Sequence, residues 1–361
     1  MSPSFPVEYF LGANAPSGFY SLYSQLLPLP HAQSIYLLKG GPGCGKSTFL
    51  RQVARAAEQN SLRVEYILCS GDPDSLDAIV IPSLRVALAD ATAPHVLEPN
   101  CPGAVDCYVD LGQCYDRSAL KKLRFEIHAA TDGYKQCYQR AYRCLNAAGT
   151  LCEDIRGTVL TDTAQQWLTR RARSVLHREL RAHRRERIGQ VKQRFLNAVT
   201  HKGYLSLYDT ALAQCPTVYE LQDNYGLSHE LLLPLLTGAV ELGLDVVACP
   251  DPMAPDRLLH LLIPETGTAF LSSTPSAVFP DTPKRRIRLD SGCDTSLLRL
   301  NRTRLRFAKK VSASLIDEAV SSLAQAKSMH DELEAIYNPY VDFDRVSRLA
   351  AETAGEILSL M

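Results

Sequence analysis

No stretch of this chain approaches the ~20 consecutive apolar residues needed to cross a bilayer. The nearest, LLLPLLTGAVELGLDVVA from Leu231, is interrupted by Glu241 and Asp245. The first residues, MSPSFPVEYFLGANAPSG, lack the basic start and apolar core of a secretory signal. Neither sign of charge is in excess, because Lys plus Arg and Asp plus Glu both total 39. No global field therefore recruits nucleic acid or an acidic surface, and any such partner needs a local patch. No C-x-x-C pair occurs among the 11 cysteines, and their number is odd, which argues against a disulfide framework and fits a reducing compartment. These absences together predict a cytoplasmic protein with no membrane partner. Cys101, Cys107 and Cys114 with His95 match no common zinc spacing and are expected to be buried or free thiols.

Globular material is plentiful. With 361 residues and 46% hydrophobic content, the chain can bury two cores of ordinary domain size. Its most specific segment is SIYLLKGGPGCGKSTFLRQVA, residues 34–54, an apolar strand, a glycine-rich turn and a helix start containing G-x-x-x-x-G-K-S from Gly40 to Ser47. This is a Walker A phosphate-binding loop in its required context. Gly40, Gly43 and Gly45 let the backbone turn its N–H groups inward at the positive end of a new helix, so Gly40, Gly41, Pro42, Gly43, Cys44, Gly45, Lys46, Ser47 and Thr48 are the expected nucleotide-binding residues. Lys46 is expected to reach the β and γ phosphates, and the Ser47 hydroxyl to ligate Mg²⁺. Cys44, inside the loop, is the thiol whose oxidation or alkylation should matter most.

The chain also repeats itself. FLGANAPSGFYSLY (Phe10 to Tyr23) aligns on FLNAVTHKGYLSLY (Phe195 to Tyr208) with seven of fourteen positions identical. Ungapped, IYLLKGGPGCGKSTFL (Ile35 to Leu50) aligns on VYELQDNYGLSHELLL (Val218 to Leu233), which puts Asp223 at Gly40, Ser228 at Gly45, His229 at Lys46 and Glu230 at Ser47. CSGDPDSLDAIVIP from Cys69 matches CPDPMAPDRLLHLLIP from Cys249 if two residues are inserted. The pattern predicts a tandem duplication in which one half has lost its phosphate chemistry. The expected fold is α/β, two P-loop NTPase-like domains with parallel sheets flanked by helices, the second degenerate. The expected boundaries are 1–165 for the intact domain, 166–194 for a basic helical linker and 195–361 for the repeat.

Periodicity supplies the elements. Lys46 to Asn60 reads as helix, Leu62 to Cys69 as a buried parallel strand, Leu84 to Asp90 as a strand ending in an acid, and Ala119 to Gly149 as helix with a packing stripe of Tyr134, Tyr138 and Tyr142. Arg170 to Phe195 holds nine arginines and one lysine against Glu179 and Glu186. It reads as a solvated connecting helix, with contact to nucleic acid or to a γ phosphate as the minor alternative.

A phosphate loop needs a second acid, at the end of a neighbouring strand, to hold the Mg²⁺ shell, and Asp90 fits; its partner in the repeat is Ser272. In DPDSLD, Asp72, Asp74 and Asp77 follow the second strand; Asp72 or Asp74 could orient a water or accept a substrate proton, the alternative being a Pro turn with a helix N-cap. Thr92 and His95 are weaker candidates for sensing a γ phosphate. No LSGGQ-like segment marks a transporter ATPase, and no N-K-x-D selects guanine, so adenine is the default. Residue 91 is alanine where many ATPases have a water-polarising glutamate, so hydrolysis is expected to be slow.

YFLGANAPSGFYS, IYLLKGGPGCGKST, CSGDPDSLDAIVIP and VALADATAPHV together resemble an uncharacterised bacterial family of tandem P-loop ATPase-like proteins, over essentially the whole chain. The resemblance implies ATP binding and a P-loop NTPase fold. The expected activity is Mg²⁺-dependent ATP hydrolysis in the N-terminal half with a regulatory or partner-binding C-terminal half. The alternatives are a small-molecule or nucleotide kinase, and a nucleotide-gated interaction protein without significant turnover.

Overall fold

The computed structural model describes residues 6–28, 32–95 and 97–361. Met1 to Phe5, part of the N-terminal stretch without signal character, and Val96, the last residue of VALADATAPHV, lie outside the described residues.

The chain forms two six-stranded mixed sheets, mostly parallel and flanked by helices. The first half supplies β1 (Val7–Phe10), β2 (Gly12–Ala15), β3 (Gly18–Ser21), β4 (Ser34–Lys39), β5 (Glu65–Leu68), β6 (Leu76–Ile81), β7 (Val86–Asp90) and β8 (Asp106–Asp110). The second supplies β9 (Val191–Gln193), β10 (Asn197–Thr200), β11 (Gly203–Ser206), β12 (Thr217–Gln222), β13 (Val246–Asp251), β14 (Ala254–Ile263), β15 (Thr268–Ser273) and β16 (Arg285–Arg288). The sheet orders are β1-β5-β6-β7-β4-β8 and β9-β13-β14-β15-β12-β16, the same position for position, with β2–β3 and β10–β11 as separate ribbons. Gly18 and Gly203, aligned in sequence, both take positive φ, +107° and +111°, where β3 and β11 begin just after the turns of those ribbons, and a side chain there would be strained.

The sheets are not wholly parallel as expected. β6 runs antiparallel to β5 and β7, and β14 to β13 and β15. The reason is connection length: residues 69–75 are too few for the crossover a parallel strand requires. No helix follows DPDSLD, so Asp74 and Ser75 cap none; Asp72 instead accepts the Asp74 N–H at 3.2 Å and the Ser75 hydroxyl at 3.0 Å, closing a turn into β6.

The helices are α1 (Lys46–Gln59), α2 (Arg117–Lys122), α3 (Arg124–Val159), α4 (Asp162–Val175), α5 (Tyr208–Gln214), α6 (Ser228–Glu241), α7 (Thr295–Leu300), α8 (Arg302–Tyr337) and α9 (Phe343–Leu358). No described helix is long and apolar enough to cross a membrane. Contacts divide the described chain into two compact units that are not serial. The first unit comprises 6–13, 21–141 and 321–361, the second 14–20 and 142–320. The divisions fall inside β2, β3, α3 and α8, not at the expected 165 and 195.

Of the expected linker 166–194, the part in α4 supplies core residues of the second unit, while residues 181–188 are exposed. On α4, Ala164, Leu168, Ala172 and Val175 form a buried stripe that packs with Leu231, Leu232 and Leu235 of α6. Two arginines beyond it pair with acids of that unit, Arg187 gripping Asp245 at 2.8 and 2.9 Å and Glu265 at 2.9 Å and Arg185 meeting Glu265 at 3.0 Å, and Arg194 is buried. In the first unit, Phe49, Leu50, Val53, Ala54 and Ala57 give α1 its buried face, and α9 packs against it.

Candidate functional site

The first unit positions Gly40–Thr48 between β4 and α1. β4 is flanked by two parallel strands, β7 and β8, and is buried along SIYLLK except at its ends. Leu38 pairs with Asp90 in the β4–β7 register, so the strand that launches the loop lies beside the strand that ends in the acid. The Lys46 Nζ consequently sits 3.5 Å from Asp90 Oδ2 and donates to the carbonyls of Gly40 and Gly41 at 2.8 and 2.9 Å. The other Asp90 oxygen accepts the Thr92 N–H at 2.8 Å, so Thr92 supports Asp90. Ser47, the second residue of α1, accepts the Leu76 N–H on its hydroxyl at 3.0 Å, which leaves oxygen lone-pair capacity of the kind a divalent cation uses; Thr48 is exposed beside it.

The glycines are required by close approach. A Cβ on Gly40 would lie 2.5 Å from Cys44 Sγ, and one on Gly41 2.9 Å from the Tyr115 hydroxyl, which donates to the Pro42 carbonyl at 3.2 Å. Gly43 and Gly45 take φ +67° and +84°. Cys44 is 1% exposed, and burial pushes its thiol up against the opposing pull of Lys46. It is thus shielded and poorly ionised, contrary to its expected role as the reactive thiol.

Sequence reasoning missed the C-terminal residues that meet this loop. The Gly43 N–H donates to a Glu334 carboxylate oxygen at 3.2 Å. With its amide nitrogen turned toward them, Asn338 donates to the Gly43 carbonyl at 3.0 Å and to that of Glu334 at 3.2 Å. Phe343 and Val346 lie against Gly45. These side chains come from α8, the turn after it and α9, nearly 300 residues along, and nothing in local sequence pairs them with the loop.

The acidic candidates separate. Asp72 pairs with Lys327 at 3.5 Å, and Asp74 is exposed with its carbonyl accepting from Arg51. Asp77, grouped with them on sequence, is instead buried on β6 against His95 and Tyr23. His95 is accordingly a core group, and its sulfur neighbour is Cys69 rather than Cys101, Cys107 or Cys114.

The second unit builds the matching loop one residue shorter: residues 40–45 separate β4 from α1, and 223–227 separate β12 from α6. Helix starts therefore align Lys46 with Ser228 and Ser47 with His229, correcting the ungapped pairing. Hydrogen bonds agree, since His229 Nδ1 accepts the Leu258 N–H at 3.0 Å as Ser47 does that of Leu76, and Ser228 Oγ meets Ser272 Oγ at 2.7 Å as Lys46 meets Asp90. The strand register likewise needs no insertion and aligns Ile67, not Cys69, with Cys249. Asp223 turns its carboxylate into its own loop, accepting the Ser228 N–H and hydroxyl at 2.7 and 2.6 Å and the Tyr225 N–H at 3.0 Å. An internal anion thus occupies the donors a phosphate would need. Glu230 is held by Arg257 at 2.7 Å. A cavity of about 600 Å³ lies over this loop, lined among others by Asp223, Tyr225, His229, Asp251 and Lys309.

No protein-family model, no curated protein and no solved structure matches this chain.

Proposed function

We propose that the first unit binds ATP with Mg²⁺ and hydrolyses it slowly, as a member of the tandem P-loop ATPase-like group its motifs resemble, and that the two units descend from one duplicated domain. The observation that carries this reading is the pair formed by Lys46, the first residue of α1 after the glycine-rich turn from β4, and Asp90, the last residue of β7 beside β4. Residues 40–48 supply N–H donors and a cation suited to a polyphosphate, Ser47 and Asp90 supply the hard oxygen donors Mg²⁺ prefers, and the bound cation would offset charge on the phosphates. The shared strand order and the paired positive-φ glycines support the duplication. Asp72, engaged by Lys327 and by its own turn, is poorly free to act as a kinase base.

Because Asp223 fills the second loop, one nucleotide binds per chain. Calorimetric titration with a non-hydrolysable ATP analogue should give a stoichiometry near one, and release of radiolabelled γ phosphate without an acceptor should exceed background. A stoichiometry near two that survives Lys46→Ala contradicts the assignment of the second unit, and label moving into a metabolite favours the kinase.

A nucleotide-gated binding role without significant turnover is the second reading, favoured by Ala91 and by Glu334 on the Gly43 N–H. A phosphate must displace that carboxylate, so nucleotide binding is coupled to release of the end of α8. Glu334→Gln removes the competing charge, and ATP affinity should rise several-fold, about 1 kcal/mol at most for a side chain this open to solvent. Unchanged affinity with lost turnover would instead assign Glu334 to the attacking water and set the gating role aside.

A further inference from the structure

Three chemically different donors from three segments meet inside the first unit. Cys69 follows β5, Asp77 is the second residue of β6, and His95 lies on the turn after β7. One ligand atom from each, a thiol sulfur, a carboxylate oxygen and an imidazole nitrogen, all lie within 4.8 Å of one another. Asp77 Oδ2 and His95 Nε2 are 3.2 Å apart, and both residues are buried, at 4% and 6% exposure. The Tyr23 hydroxyl donates to the same Asp77 oxygen at 2.9 Å, and its ring packs on that of His95 at 5.0 Å. Desolvation pushes Asp77 above the usual carboxylate range, with the neighbouring His95 opposing it.

The fold does not demand this cluster. The second unit builds the same strands and the same turn, in which the Ala277 N–H donates to the Thr274 carbonyl at 3.1 Å as His95 does to Thr92 at 2.8 Å. There the register puts Asp251, Leu259 and Ala277 where the first unit has Cys69, Asp77 and His95. The set occurs only in the unit that keeps Lys46 and Asp90.

We propose that Cys69, Asp77 and His95 bind one zinc-class divalent ion, with Tyr23 orienting Asp77 behind it. Tetrahedral coordination with Zn–S near ~2.3 Å and Zn–N and Zn–O near ~2.0–2.1 Å separates donor atoms by roughly 3.3–3.6 Å. The observed 3.2 Å between Asp77 Oδ2 and His95 Nε2, and the 4.8 Å within which all three donor atoms lie, bracket that range. Sulfur and nitrogen donors select a borderline-soft ion over Mg²⁺, which takes hard oxygens. On binding, the Cys69 S–H proton leaves to solvent as the S–metal bond forms, and a water completes the fourth position. The tyrosine hydrogen bond to the ligating carboxylate is the outer support such sites use. The ion ties the residue after β5 and the turn after β7, the strand that ends in Asp90, to the start of β6.

The test uses the full-length wild-type protein. Metal analysis after dialysis should find close to one zinc per chain. After chelation, Co²⁺ should restore one equivalent with a near-ultraviolet thiolate-to-cobalt band that excess Mg²⁺ does not displace. Cys69→Ser should abolish the band and weaken binding at least ~10-fold. Cys44→Ser and Cys101→Ser should keep it, which excludes the phosphate loop and the exposed thiol as its source. Absence of stoichiometric metal and of the band in folded wild-type protein overturns the proposal, as does a band that survives Cys69→Ser. The readout involves no nucleotide, so it stands apart from the ATP-binding reading.

Discussion

Lys46→Ala should abolish nucleotide turnover and weaken ATP binding by at least ~10-fold while the protein stays folded. The ammonium donates to the Gly40 and Gly41 carbonyls and faces Asp90, so it is the cation centred in the loop. Removing it leaves Asp90 as an unopposed charge beside the phosphates, which adds repulsion to the lost contact. The fold should survive, because alanine is a strong helix former and the buried face of α1 begins only at Phe49. Calorimetry measures the affinity and circular dichroism the fold. Unchanged ATP affinity in a folded variant would sink the assignment of the loop.

The second large effect separates metal from nucleotide. Asp90→Asn should keep much of the ATP affinity and lose roughly 10–100-fold of Mg²⁺-dependent turnover, since the carboxylate acts on the cation's surroundings rather than on phosphate. Asparagine retains an oxygen for the Thr92 N–H, so the turn that Asp90 supports is preserved. Turnover at the wild-type rate would move the strand acid elsewhere. The other acids nearby are committed: Asp106 accepts the Asn100 and Cys101 N–H groups at 2.8 and 2.6 Å, and Asp110 that of Gly112 at 2.8 Å. Asp72 would be the next residue to substitute.

The sequence alone determined the local chemistry. The motif Gly40 to Ser47 implied a strand, a tight glycine turn and a helix, because those glycines admit positive φ and close backbone approach that side chains disfavour, and β4, the turn and α1 follow it. The apolar run before Asp90 marked β7 by the same logic, since a strand covered on both faces must be apolar throughout. The match of Phe10–Tyr23 to Phe195–Tyr208 falls on the β2–β3 and β10–β11 ribbons, each with a positive-φ glycine at the same position.

Tertiary structure decided what depends on distant residues. That the second loop is one residue shorter is invisible to an ungapped alignment, yet the helix starts and the Ser228–Ser272 and His229–Leu258 hydrogen bonds reveal it. The stripe Ala164, Leu168, Ala172 and Val175 was hidden under a run of arginines, because charge dominates a linear reading while burial depends on one face. Asp77 looked like one more loop acid until the short turn from β5 reversed the chain and buried it with His95, Tyr23 and Cys69. Glu334 lies 291 residues from Gly43, and only the packing of the folded chain brings that carboxylate to that N–H.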